Sequence, residues 1–245
     1  IPEFLRSHPL SENRIADTRN RARQYVSPPP RDDLQYQLMR ARVANHLAAT
    51  PEAAIQQFRG ELGGNTRSRE ASTYGLVLAL TDAGRVDQAA LELDSIWSGD
   101  PDRLEYKLAH AELLMTRGEP GKAAAELERQ LKLSPGSHPL AMAYAQALMR
   151  DRKPHIAEAV LLDQGKIRPN DPALWYLLAE VQGLSGNIVG LHQSRAEYFI
   201  LTGNMGEAEK QLSYALKLVG VDHVAAARIN ERLSDVNTLR NRMEI

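Results

Sequence analysis

Residues 71–101, ASTYGLVLALTDAGRVDQAALELDSIWSGDP, hold every element from which the fold of this chain can be read. An apolar run closes at Gly84, a second begins with Ala89 and Leu93, and Pro101 ends the unit. Each of these marks returns at intervals of 34 residues: Pro101, Pro135 and Pro169; Ala89, Ala123 and Ala157; Leu93, Leu127 and Leu161. Gly84 recurs as Gly118 and, two steps further, as Gly186, while Arg152 replaces the glycine between them and Pro154 opens the helix that follows. The glycine lacks a Cβ and lets a first helix end in a left-handed turn. The alanine sits where the second helix crosses the first and lets the two backbones approach. The proline cannot continue the second helix and is expected to open the next one. The pattern predicts helix pairs stacked along one axis, an all-α solenoid.

A 34-residue helix–turn–helix unit resembles the tetratricopeptide repeat, in residues 71–101, in LEYKLAHAELLMTRGEPGKAAAELERQLKLSP (104–135) and in ALWYLLAEVQGLSGN (173–187). About 4–5 helix pairs are expected. Residues 32–60 form a degenerate first pair, turning at Thr50-Pro51 and followed by the loop Gly63-Gly64-Asn65. Past Gly186 the next turn glycine is Gly203, half a period on, before GNMGEAEKQLSYALKL with Ala208 at a crossing and Leu212 and Leu216 on the apolar face. The half-repeat near residues 190–203 predicts a helix 188–201 shared by two units, or inserted between them, with a kink and a special surface there. From about Asp222, Ile229, Leu233, Val236, Leu239 and Met243 share one helical face, so the last helix reads as the C-terminal cap.

Composition narrows the function classes. The formal net charge is -1, and no basic stripe interleaved with aromatics offers itself to nucleic acid. No apolar run reaches the length of a membrane span, so no membrane insertion is expected. There are no cysteines, hence no disulfides and no thiolate metal sites. The seven histidines include no pair at i, i+3 or i+4, and HExxH, G-x-S-x-G and P-loop motifs are missing from these 245 residues. The sequence therefore supports a module that holds a peptide or protein and offers no residues for catalysis or for a cofactor.

In such a stack the first helices of successive pairs line the concave face. Positions 34 apart form a stripe of Tyr74, Leu108, Met142 and Tyr176, with Leu78, Glu112, Gln146 and Glu180 one turn on, then Met115 and Met149. Methionine and tyrosine suit adaptable peptide recognition. The same side chains could equally be core, and the sequence leaves both open. The Lys and Asn clamp by which some tetratricopeptide cochaperones take a C-terminal carboxylate has no counterpart at these offsets.

One segment stands outside the repeat. FLRSHPLSENRIADTRNRARQY (4–25), with six arginines in residues 1–31 against Glu3, Glu12 and Asp17, precedes a stiff Ser27-Pro28-Pro29-Pro30 linker. HPLSENRIAD (8–17) resembles the His-Pro-x-x-x-x-Arg-Ile segment that closes the catalytic domain of HExxH zinc metallopeptidases. Followed by this array, it resembles the BepA-like periplasmic metalloprotease and chaperone family of Gram-negative bacteria. The resemblance implies that residues 1–30 are the tail of a protease domain plus linker and that 31–245 are the repeat domain. It implies a longer periplasmic parent carrying zinc, His8 approaching that metal, and Arg14 pairing with a protease-domain carboxylate. The implied partners are the parent's own protease domain, the outer-membrane β-barrel assembly machinery, and barrel substrates such as the lipopolysaccharide transport barrel. The alternative is a stand-alone tetratricopeptide adaptor or secretion chaperone without a protease.

Overall fold

A computed structural model describes residues 11–24, 33–64 and 66–243. His8 and the Ser27–Pro30 linker lie outside the described residues. Every regular element among them is an α-helix, in the order α1 (Ser11–Ala22), α2 (Leu34–Leu47), α3 (Pro51–Gly63), α4 (Arg69–Asp82), α5 (Val86–Trp97), α6 (Leu104–Thr116), α7 (Pro120–Leu133), α8 (His138–Arg150), α9 (Pro154–Ile167), α10 (Pro172–Ser185), α11 (Ile188–Leu201), α12 (Met205–Leu218) and α13 (His223–Met243). In α1 residues 15–22 are all exposed.

The periodic tracks do what their chemistry requires. Ala89, Ala123, Ala157 and Ala208 are fully buried, and Leu93, Leu127 and Leu161 lie beneath them in the core. Gly84, Gly118, Gly186 and Gly203 adopt positive φ, and so does Arg152, at φ 59°. All five turns close alike. The residue after the left-handed one donates its N–H back to the helix, as Arg85 to Leu80 (2.8 Å), Lys153 to Leu148 (2.8 Å) and Asn204 to Phe199 (2.8 Å). Arg152 thus occupies a glycine conformation with an arginine side chain.

The prolines differ from their expected place. Pro101, Pro135 and Pro169 stand in exposed turns three residues before the next helix begins, whereas Pro120, Pro154 and Pro172 occupy first helical turns, where the missing N–H is harmless. Two of the turn prolines serve through their carbonyls: the Trp97 indole donates to Pro101 O at 3.0 Å, and the Trp175 indole to Pro169 O at 2.7 Å.

Packing changes along the stack. From α2 to α10 each even-numbered helix packs on the next even-numbered one as well as on its sequence neighbours. At the start, α2 and α3 both pack chiefly on α4, where a Cβ at Gly75 would come within 2.3 Å of the Phe58 ring, so only glycine permits that approach. Beyond α10 the extensive contacts run between consecutive helices, α10/α11, α11/α12 and α12/α13. The turns explain this. Helices α5, α7 and α9 end in four- to six-residue turns, while α11 ends at left-handed Gly203 as the first helix of a pair does. It begins as a second helix and ends as a first one, which is the half step read from the glycine spacing. At the α10/α11 crossing Leu191 holds the position 34 residues after Ala157, and the close approach falls to Gly190 beside it, where a Cβ would come within 2.6 Å of the Gln182 and Asn187 side chains. Asp222 caps α13 through the Val224 and Ala225 N–H groups, and Ile229 and Val236 bury the inner face of that helix.

Candidate protein-binding site

The stripe of positions 34 apart divides into three environments. At its start Tyr74 is fully buried and Leu78 is 4% exposed. Helix α2 covers them, and its Arg42 joins three helices: Nε donates to the Tyr74 hydroxyl at 3.0 Å, and Nη1 and Nη2 donate to the Glu112 carboxylate at 2.9 and 3.4 Å. Burial opposes the Arg42 charge, but Glu112 and Tyr74 outweigh it and raise the guanidinium pKa. Burial also pushes the Tyr74 phenol up to about 12, against the lowering effect of Arg42. Tyr74 and Leu78 here are core, sealed by a helix of the same chain.

In the middle, Leu108, Met142 and Met149 are half-buried against the second core cluster, which contains Met115, while Gln146 is exposed. At the far end the stripe opens. Tyr176 is 53% exposed and Glu180 is exposed, and both line a cavity of about 260 Å³ with Ala179, Arg195, Tyr198, Phe199 and Gln211. The rings form a short stack: Tyr176 lies edge-on to Tyr198 at 5.5 Å between centroids, and Tyr198 to Phe199 at 5.4 Å.

Of the sequence-predicted residues, then, the structure brings Tyr176 and Glu180 together in a cavity and places Leu78 and Glu112 beside Arg42 at the other end. The reading by 34-residue steps missed Arg195, Tyr198, Phe199 and Gln211. They come from α11 and α12, past the point where the step halves, so the offset no longer points to them. The signal was the aromatic pair Tyr198-Phe199 on the half-repeat helix itself.

A second feature lies at the opposite end. Tyr36, Met39, Val43 and Leu47, at spacings of 3, 4 and 4 along α2, are 61%, 38%, 56% and 75% exposed. Leu38 and Ala41 bury the other face of the same helix. Helix α2 is therefore apolar on two sides, whereas a terminal helix facing only water would be polar outside.

Comparison with known proteins agrees with this architecture. The tetratricopeptide repeat family matches residues 114–181. The beta-barrel assembly-enhancing protease of Escherichia coli is 26% identical over 99% of this chain, and that of Yersinia pestis 26% identical over 98%. A Vibrio cholerae protein given the same name provisionally is 32% identical over 98%. In each case the match covers 50% of the relative, so the chain spans about half the length of these curated relatives. Among solved structures, a thermophilic tetratricopeptide protein of Thermus thermophilus is 18% identical and superposes with a TM-score of 0.49, covering 81% of this chain and 98% of that one. A tetratricopeptide protein of Parabacteroides merdae is 13% identical, with a TM-score of 0.48, covering 92% and 90%. The chain thus carries tetratricopeptide repeats, and nearly its whole length is similar to one half of beta-barrel assembly-enhancing proteases.

Proposed function

We propose that this array is the partner-docking domain of a periplasmic zinc metalloprotease, and that it brings the protease to the outer-membrane β-barrel assembly machinery and to barrel substrates held there. The observation that carries this reading is the alignment of nearly the whole chain with half of proteins named for enhancing β-barrel assembly. The open end of the concave stripe supplies a surface for the docking. Zinc belongs, in this reading, to the other half of the parent. Among the described residues no group of three or more His, Asp or Glu stands where it could hold a metal, and His8 lies outside them, so no step of the docking runs through the metal. The two-sided apolar α2 is the surface on which we seat the parent's own protease domain.

A photo-crosslinking residue at Tyr176, in cells producing the whole parent, tests the reading. Adducts with β-barrel assembly components or barrel precursors are expected. Adducts confined to unrelated soluble proteins would favour a stand-alone adaptor instead.

A further inference from the structure

The surface around the half step is longer than its cavity. Gln211 at the cavity's edge bonds His192 Nδ1 at 2.7 Å, and the His192 ring lies 5.4 Å from Tyr214. From Tyr214, 47% exposed, the face continues along α12 to Leu218 and on to Val221, 52% and 90% exposed. Tyr176, Tyr198, Phe199, Tyr214 and Leu218 thus floor one aromatic strip that crosses α10, α11 and α12.

The charges along it are unbalanced. Each glutamate of α11 and α12 is taken by an ion pair: Glu197 with Arg232 (2.6 Å), Glu207 with Lys210 (2.6 Å), Glu209 with Arg240 (2.6 Å). Arg195 at the cavity has no ion pair among the described residues, and neither has Lys217, whose ammonium stands 5.8 Å from the centre of the Tyr214 ring. Glu180, which makes no ion pair among the described residues, is the one carboxylate lining the cavity with Arg195. The cavity, at about 260 Å³, falls below the ~300–1,000 Å³ of pockets that take whole small molecules. It has room for one large side chain. A helix about 10–12 Å wide does not enter it.

We propose that this strip binds an extended polypeptide segment that inserts an aromatic side chain among Tyr176, Tyr198 and Phe199 and sets carboxylates against Arg195 and Lys217. The proposal rests on the protein-binding reading above and adds the chemistry of what is bound. The stretch of α12 from Gln211 to Leu218 rises about 10 Å, so, with the cavity, the site spans about five to seven residues of extended chain at ~3.3 Å each.

The test is fluorescence anisotropy with this chain and three labelled octapeptides: alternating Phe and Ser with two Asp, the same with Lys for Asp, and the same with Ser for Phe. The Asp peptide should bind, and each of the other two at least about tenfold more weakly, since one buried aromatic anchor or one matched charge carries that much. Arg195→Glu and Lys217→Glu, both at exposed positions, should each weaken the Asp peptide and strengthen the Lys peptide, with circular dichroism unchanged. Glu180→Gln should tighten the Asp peptide. Equal binding of the Asp and Lys peptides would overturn the charge assignment. Free phenylalanine binding as tightly as the peptide would turn the cavity into a small-molecule site and overturn the proposal. If no peptide binds, or Arg195→Glu leaves the Tyr176 crosslinks in cells unaltered, the strip is wrong and the docking function stands. If the Asp peptide binds as described and Tyr176 captures no assembly component, the strip stands and the docking function fails.

Discussion

Tyr74 and Tyr176 hold the same position in the repeat, three periods apart, yet one is fully buried and the other is 53% exposed. Nothing within their own repeats accounts for the difference. Tyr74 is covered by α2, which packs on α4 and reaches α6 through Arg42. Tyr176 has Tyr198 and Phe199 as neighbours across a cavity, because the half step sends α11 and α12 onward one behind the other. In a solenoid each position is defined by its own unit, but its exposure is defined by the units on either side.

Substituting each tyrosine breaks the comparison most sharply. Tyr74→Ala empties a fully buried site and strips Arg42 of a partner, and should destabilise by about 3–5 kcal/mol, read as a lower urea midpoint. Tyr176→Ala should change stability by under about 1 kcal/mol and act on peptide binding instead. Equal losses of stability would mean that the cavity end is core as well.

Alkaline titration reports on the covered end. Burial raises the Tyr74 phenol to about 12 from an ordinary 10, and burial together with the hydrogen bond to Glu70 raises Tyr106 as well. The folded state then holds protons that the unfolded chain releases. The stability tied to Tyr74 is fully present below pH 10 and is lost as pH rises toward 12, on the order of 2–3 kcal/mol. In Tyr74→Phe the fall in melting temperature between pH 10 and 12 should be shallower. Within the regular part of the stack, Ala123→Leu should overpack a crossing with no free space and destabilise by about 1–3 kcal/mol, measured the same way.

What was legible in the sequence follows the same division. The helices, their turns and the half step could be read because Gly, Ala and Leu at fixed spacing answer to contacts inside one unit, at the Gly84 turn or the Ala89 crossing. The exposure of the concave stripe could not be read. It depends on Arg42 meeting Glu112 across 70 residues, and no local periodicity records such a contact. The cavity residues Arg195, Tyr198, Phe199 and Gln211 escaped for a different reason: they lie beyond the half step, where counting by 34 from Tyr176 arrives at Lys210, which does not line the cavity.

The smallest expected effect tests the regularity itself. Positive φ occurs at Gly84, Gly118, Arg152, Gly186 and Gly220, an unbroken series 34 residues apart, with Gly203 as the half step between the last two. The conformational period is thus more regular than the chemical one, because the bond from the N–H of residue 153 to Leu148 O holds the turn whichever residue occupies position 152. An L-residue in this region costs about 1–2 kcal/mol relative to its ordinary conformation. Glycine removes that strain, though it adds about 0.5–1 kcal/mol of chain entropy lost on folding. The Arg152 side chain is exposed and makes no ion pair among the described residues, so its loss offsets little of the gain. Arg152→Gly should therefore stabilise by about 0.5–1 kcal/mol, a rise in melting temperature of about 1–4 °C for a chain of this length. Gly118→Arg, which places the same strain one period earlier, should lower it by a similar amount. If Arg152→Gly lowers the melting temperature instead, the arginine side chain holds this turn by a contact worth more than the strain, and the turn is no equivalent of its glycine neighbours.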